Sequence, residues 1–160
     1  MGAITDYLNK WCEDRNAELI ANYKAKGLRA SGKFENELRY TADDKGCQIL
    51  SPAHVGAMVG GRKPTTNTGD GSLRGIIRKW IDDKGITPYA DKNGRAVSKD
   101  SLAYLITRKI HRDGIKVPNQ YNQGGLVSEV ITQPKIEELL MQIGGNYITE
   151  FKNEIQETWR

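Results

Sequence analysis

Residues 51–118 read SPAHVGAMVGGRKPTTNTGDGSLRGIIRKWIDDKGITPYADKNGRAVSKDSLAYLITRKIHRDGIKVP. Two amphipathic segments lie inside this stretch. Leu73, Ile76, Ile77, Trp80 and Ile81 recur at helical spacing, which predicts a helix capped by Ser72, ended by Gly85 and burying Trp80. Leu102, Leu105, Ile106 and Ile110 repeat the pattern between Ser98 and Gly114. Each segment closes on a charged residue followed by Gly-Ile, and both stand behind a Gly61-Arg62-Lys63-Pro64 corner. Runs 60–72, 87–97 and 117–125 are rich in glycine and polar residues and read as long loops.

Working outward, residues 4–26 carry an apolar stripe through Ile4, Tyr7, Leu8 and Trp11 that resumes, after a slip, at Leu19, Ile20 and Tyr23. A helix is expected over 1–28, weakest at Asp14–Asn16 and stopped by Gly27. In 33–60, Phe34, Asn36, Leu38 and Tyr40 alternate with charged neighbours, the period of a half-buried strand. Asp43-Asp44-Lys45-Gly46 signals a turn, and Cys47–Leu50 returns antiparallel. His54–Val59 reads as a third strand or a short helical turn. Over 126–159, Leu126–Thr132 reads as a strand or a helix start, and Pro134 opens a last helix. Ile136, Leu139, Leu140, Ile143, Tyr147, Phe151 and Ile155 follow its face, and Gly144-Gly145 marks a kink. The expected fold is α+β in one domain, 1–160. An N-terminal helix leads to a small antiparallel sheet (33–60), two helices joined by a loop (72–114) and a C-terminal arm (126–159).

Composition narrows the function classes. The formal net charge is +4 and the two histidines are far apart. Cys12 and Cys47 form no CxxC pair, so free thiols in a reducing cytoplasm are the expectation. No apolar run approaches the ~20 residues that span a bilayer, and the first fifteen residues lack a signal peptide's apolar stretch. No membrane association is expected.

Nor does any pattern suggest catalysis. Histidine and cysteine lack zinc spacing, GxSxG is absent, and Asp82-Asp83 and Glu137-Glu138 read as helix-surface charges. The glycines ahead of Ser72 suggest an anion loop, but GxxxxGK[ST] is missing and Asp70 places negative charge where a phosphate would bind. The chain reads as non-enzymatic, with no cofactor and no metal. Arg74, Arg78 and Lys79 on one helix, and Arg108, Lys109 and Arg112 on the next, offer candidate contacts to DNA phosphates. Their helices are too far apart in sequence for a helix-turn-helix. Trp159, near the end of an amphipathic helix, is a candidate for docking on a partner.

From Gly32 to Phe151 the order of features resembles the tail-component, or tail-completion (neck), family of tailed double-stranded DNA bacteriophages. The likeness rests on Ala30-Ser31-Gly32, a strand pair, the Gly61-Arg62-Lys63-Pro64 corner, the helix Leu73–Ile86 and the segment Ser101–Lys116. It implies a virion protein of the head–tail junction, assembled in the host cytoplasm as a closed ring of about six or twelve copies. Its partners would be other copies of itself and portal, adaptor or tail-tube proteins. Gly61, Arg62, Lys63 and Pro64 would face a neighbour, and contact with genomic DNA would be transient. The alternative reading is a small non-specific DNA-binding or packaging accessory protein.

Overall fold

A computed structural model describes residues 2–65 and 71–158. Eight elements follow in order: α1 (Gly2–Ala25), α2 (Lys33–Glu37), β1 (Arg39–Asp43), β2 (Gly46–Leu50), α3 (Val55–Gly60), α4 (Ser72–Asp83), α5 (Lys99–Asp113) and α6 (Gln133–Thr158). The fold is α+β, as the periodicities predict. Its elements group into two compact units, one holding α1, the β-hairpin and α6, the other holding α2 to α5.

In the first unit α1 buries Ile4, Leu8, Cys12, Leu19 and Tyr23. The expected weak point at Asp14–Asn16 does not interrupt it; the stripe shifts within a continuous helix. The hairpin pairs Arg39 with Leu50 and Ala42 with Cys47, and Asp43 Oδ1 closes its turn by accepting from the amides of Lys45 and Gly46 at 2.8 and 3.1 Å. Cys12 and Cys47 form a disulfide, with Cα atoms 6.2 Å apart. That corrects the free-thiol expectation. The buried face of α1 and the start of β2 bring the thiols within bridging reach, a proximity that sequence spacing does not reveal.

Leu126–Thr132 is neither strand nor helix but a series of turns that buries Leu126 and Val130. Asn22 Nδ2 ties this segment to α1 by donating to the carbonyls of Gly125 and Leu126 at 3.3 and 3.1 Å. Lys135 fastens the start of α6 in the same way, to Glu18 at 2.6 Å and to the Val130 carbonyl at 3.0 Å. α6 runs unbroken through Gly144-Gly145.

The second unit begins with a correction. Lys33–Glu37 is helical, and the strand starts only at Arg39. Gly32, at φ 79°, turns the chain, and its carbonyl accepts from the Asn36 amide at 3.1 Å. Phe34 and Leu38, both buried, fit i, i+4 spacing as well as alternation, so period alone misleads there. His54–Val59 resolves to the short helix α3. Ser98 caps α5 as expected, accepting from the Ser101 amide at 3.0 Å. Ser72 does not cap α4; Gly71 holds that position, in the left-handed region at φ 81°.

α4 and α5 lie antiparallel around Ile81, Leu102 and Ala103, with Ile77, Ile86, Val97 and Ile106 packed against them. Trp80 is not core: it is 37% exposed. Leu105, expected inside, is also exposed. Both sit one helical step off the facing seam.

Two outcomes are expected in thermal melts. Reduction should destabilise the chain by about 3–4 kcal/mol, the loop-closure scale for cysteines 35 residues apart, and a C12A/C47A variant should lose its sensitivity to reductant. Ile81→Ala should cost about 2–5 kcal/mol, and Trp80→Ala clearly less.

Candidate functional site

The Gly61–Pro64 corner is fastened by backbone rather than by its side chains. Arg62 and Ile115 exchange two hydrogen bonds, Arg62 N–H to the Ile115 carbonyl at 2.8 Å and Ile115 N–H to the Arg62 carbonyl at 2.7 Å. Such close approach requires glycine on both sides. Gly61 (φ 77°) and Gly114 (φ 72°) adopt conformations that L side chains avoid, and a Cβ on either would collide with the opposing carbonyl. The Thr65 amide adds a bond to the His111 carbonyl at 2.9 Å, and the Thr65 hydroxyl meets His111 Nδ1. Lys63 and Pro64 are held exposed, while Arg62 is half-buried.

Two of the long loops are held by hydrogen bonds of their own. In 87–97, Asp91 and Arg95 pair through backbone at 2.8 Å, and Asp91 Oδ1 accepts from the amides of Asn93 and Arg95, both at 2.9 Å. In 117–125, Asn119 and Asn122 exchange backbone bonds at 2.7 and 3.1 Å. Asn122 Nδ2 also donates to the Met58 carbonyl at 2.8 Å. Thr66–Asp70, the middle of the third loop, and Trp159 lie outside the described residues.

The six candidate phosphate contacts are unequal. Arg78 binds Asp82 and reaches Asp100 at 3.2 Å, Lys79 pairs with Asp83 at 3.4 Å, and Arg112 with Asp113 at 2.7 Å. Arg74 stacks over Tyr104, 5.8 Å from its ring centre. Arg108 and Lys109 are exposed on α5. The hydrogen bond from Lys99 at 2.7 Å, with help from Arg78, holds the Asp82 carboxyl below its usual range. Arg112 does the same for Asp113. Of the carboxylates considered for acid–base work, Asp82 and Asp83 are engaged in the ion pairs above, and Glu137 accepts from Gln133 at 3.2 Å. Among the described residues no group of three or more His, Cys, Asp or Glu converges to hold a metal ion.

Two apolar surfaces escape a sequence reading that assigns every striped residue to a core. The pairs Arg78–Asp100 and Lys99–Asp82 and the Arg74–Tyr104 stack mark one flank of the α4–α5 hairpin. Helical spacing puts Ile76, Trp80 and Leu105 on the other flank, and all three are exposed. The apolar arc of α6 is only partly covered. Ile136, Leu139 and Ile143 are half-buried, whereas Leu140, Met141, Tyr147, Ile148, Phe151 and Ile155 are 43–71% exposed. The signal was in the sequence: the apolar arc of α6 is wider than one buried face needs.

No protein-family model, curated protein or solved structure matches this chain.

Because the brace is backbone, Arg62→Ala should leave the melting temperature nearly unchanged, whereas Gly61→Ala or Gly114→Ala should lower it markedly. Asp82→Asn should also destabilise, with a definite pH signature. A carboxyl with a depressed folded pKa stabilises fully above its ordinary pKa and loses that contribution as pH falls through the folded value. The difference in melting temperature between wild type and Asp82→Asn should therefore be present at neutral pH and vanish in acid below the carboxylate range.

Proposed function

We propose that this chain is a structural, non-enzymatic subunit of the head–tail junction of a tailed bacteriophage. It would assemble as a ring with its own copies and join portal or adaptor to tail around the DNA channel. The resemblance over Gly32–Phe151 supplies the class. The observation that carries it further is the surplus of large apolar side chains left exposed on both units, Ile76, Trp80 and Leu105 on one and the α6 stripe on the other. A chain completed by neighbours displays such patches; a self-sufficient monomer rarely does. A ring contact is heterologous, joining two different patches. The braced corner, with Lys63 and Pro64 held outward, and the Ile76–Trp80–Leu105 flank are the parts of the second unit suited to it.

The accessory DNA-binding reading draws on the basic helix faces, and it is the weaker of the two. Arg78, Lys79 and Arg112 are held by carboxylates of the same chain, so a phosphate would have to compete for them. Charge of that kind suits DNA in passage better than DNA in a tight grip.

The test is co-expression with a phage portal protein from the same genome, followed by negative-stain imaging. Rings seated on portal are expected, and Trp80→Asp should abolish them while the variant stays folded. A chain that ignores portal and tail proteins, yet shifts random duplex DNA at low salt, would replace this reading with the accessory one.

A further inference from the structure

We infer that the outward face of α6 is a two-fold contact site for the α6 of a second copy of this chain. Residues Leu140, Met141, Gly144, Tyr147, Ile148, Phe151 and Ile155 fall within about a third of the helix circumference. Among them only Gly144 is not a large apolar residue. Their face borders the half-buried side of α6 that carries Ile136, Leu139 and Ile143, its centre turned from that side by about 110°. At the fractional exposures given above the six large side chains leave on the order of 700 Å² open, taking about 200 Å² for each when fully exposed, a size in the range of the aromatic residues. That exceeds the ~300–600 Å² patch of an ordinary monomer and approaches the ~800 Å² that one partner gives to a stable interface. A self-contact supplies the matching area from the same stripe.

Gly144 identifies the partner more closely. A glycine inside a helix costs about 1 kcal/mol relative to alanine. Nothing among the described residues calls for it, because its φ is not positive and a Cβ there would meet none of their atoms within 4 Å. A gap in the middle of an otherwise bulky stripe fits a bulky side chain from outside. Place a two-fold axis between Tyr147 and Ile148, with the helices antiparallel. Phe151 of each copy then stands opposite Gly144 of the other, Leu140 opposite Ile155, and Tyr147 opposite Ile148. Every large residue of the stripe except Met141, at its edge, gains a direct apolar counterpart or fills the gap. The pairing is isologous, as a two-fold contact must be. It uses no residue of the α4–α5 flank and does not rest on the ring reading.

The experiment is light scattering across a concentration series, with circular dichroism to confirm folding. The purified chain should approach twice its 17.9 kDa mass. Phe151→Asp should weaken the dimer at least tenfold without loss of helix. Gly144→Leu should weaken it as much even though leucine favours the helix. The exchange Gly144→Phe with Phe151→Ala should restore much of the association, because each new phenylalanine then faces the space vacated across the axis. A chain that is monomeric at every concentration overturns the inference, as does a dimer indifferent to Phe151→Asp and Gly144→Leu. Dissociation by both single variants without recovery in the exchange variant also overturns it, and assigns the stripe to a different surface of the neighbour.

Discussion

Dividing one chain of 160 residues between two cores is the constraint from which the rest of this structure follows. Each unit holds roughly eighty residues, a size at which burial alone gives little margin. Each carries a fastening that does not depend on apolar volume. In the first it is the covalent link from α1 to the hairpin, Cys12 to Cys47. In the second it is the backbone exchange between Arg62 and Ile115, possible only because Gly61 and Gly114 remove the side chains that would hold the strands apart. Small cores also leave apolar residues over. Trp80 and Phe151 are exposed for the same reason that the disulfide and the bridge are needed.

Much of the architecture was legible in the sequence, and the failures share a cause. Helical stripes, the Ser98 cap, the Asp43–Gly46 turn and the stop at Gly114 are local, so they can be read locally. Phe34 and Leu38 fit two periods equally, and only Gly32 with its positive φ decided for a helix. Burial is not local. The stripe that predicted a buried Trp80 is real, but the seam with α5 takes Ile77 and Ile81 and leaves Trp80 at its edge. The disulfide and the Ile115 partner of the corner join distant segments, and a single sequence carries no signal for either pairing. The corner is legible in its composition, while the reason for its glycine lies in the close backbone approach to Ile115.

The electrostatics lead to a similar distinction between composition and arrangement. A net charge of +4 suggests affinity for nucleic acid when counted, yet the count overstates what is on offer. Lys99 and Arg78 meet at Asp82, where α4 and α5 are clasped, and Arg112 is paired with the Asp113 that ends α5. These cations have work within the fold. Exposed ion pairs contribute little each to stability, but they do fix the positions of their charges. An arginine already paired gives up part of that pairing when it contacts a phosphate, so its net gain is smaller than that of a solvated one. Of the candidate phosphate contacts, Arg108 and Lys109 are exposed on α5, and Lys63 is held out by the braced corner; under the proposed reading these would be available to DNA. A few such charges spread over a surface give weak contact that is sensitive to salt, not a fixed grip. Under the proposed ring reading such weak contact would suit a wall beside moving DNA, and it would follow from the pairing of the charges and not from their number.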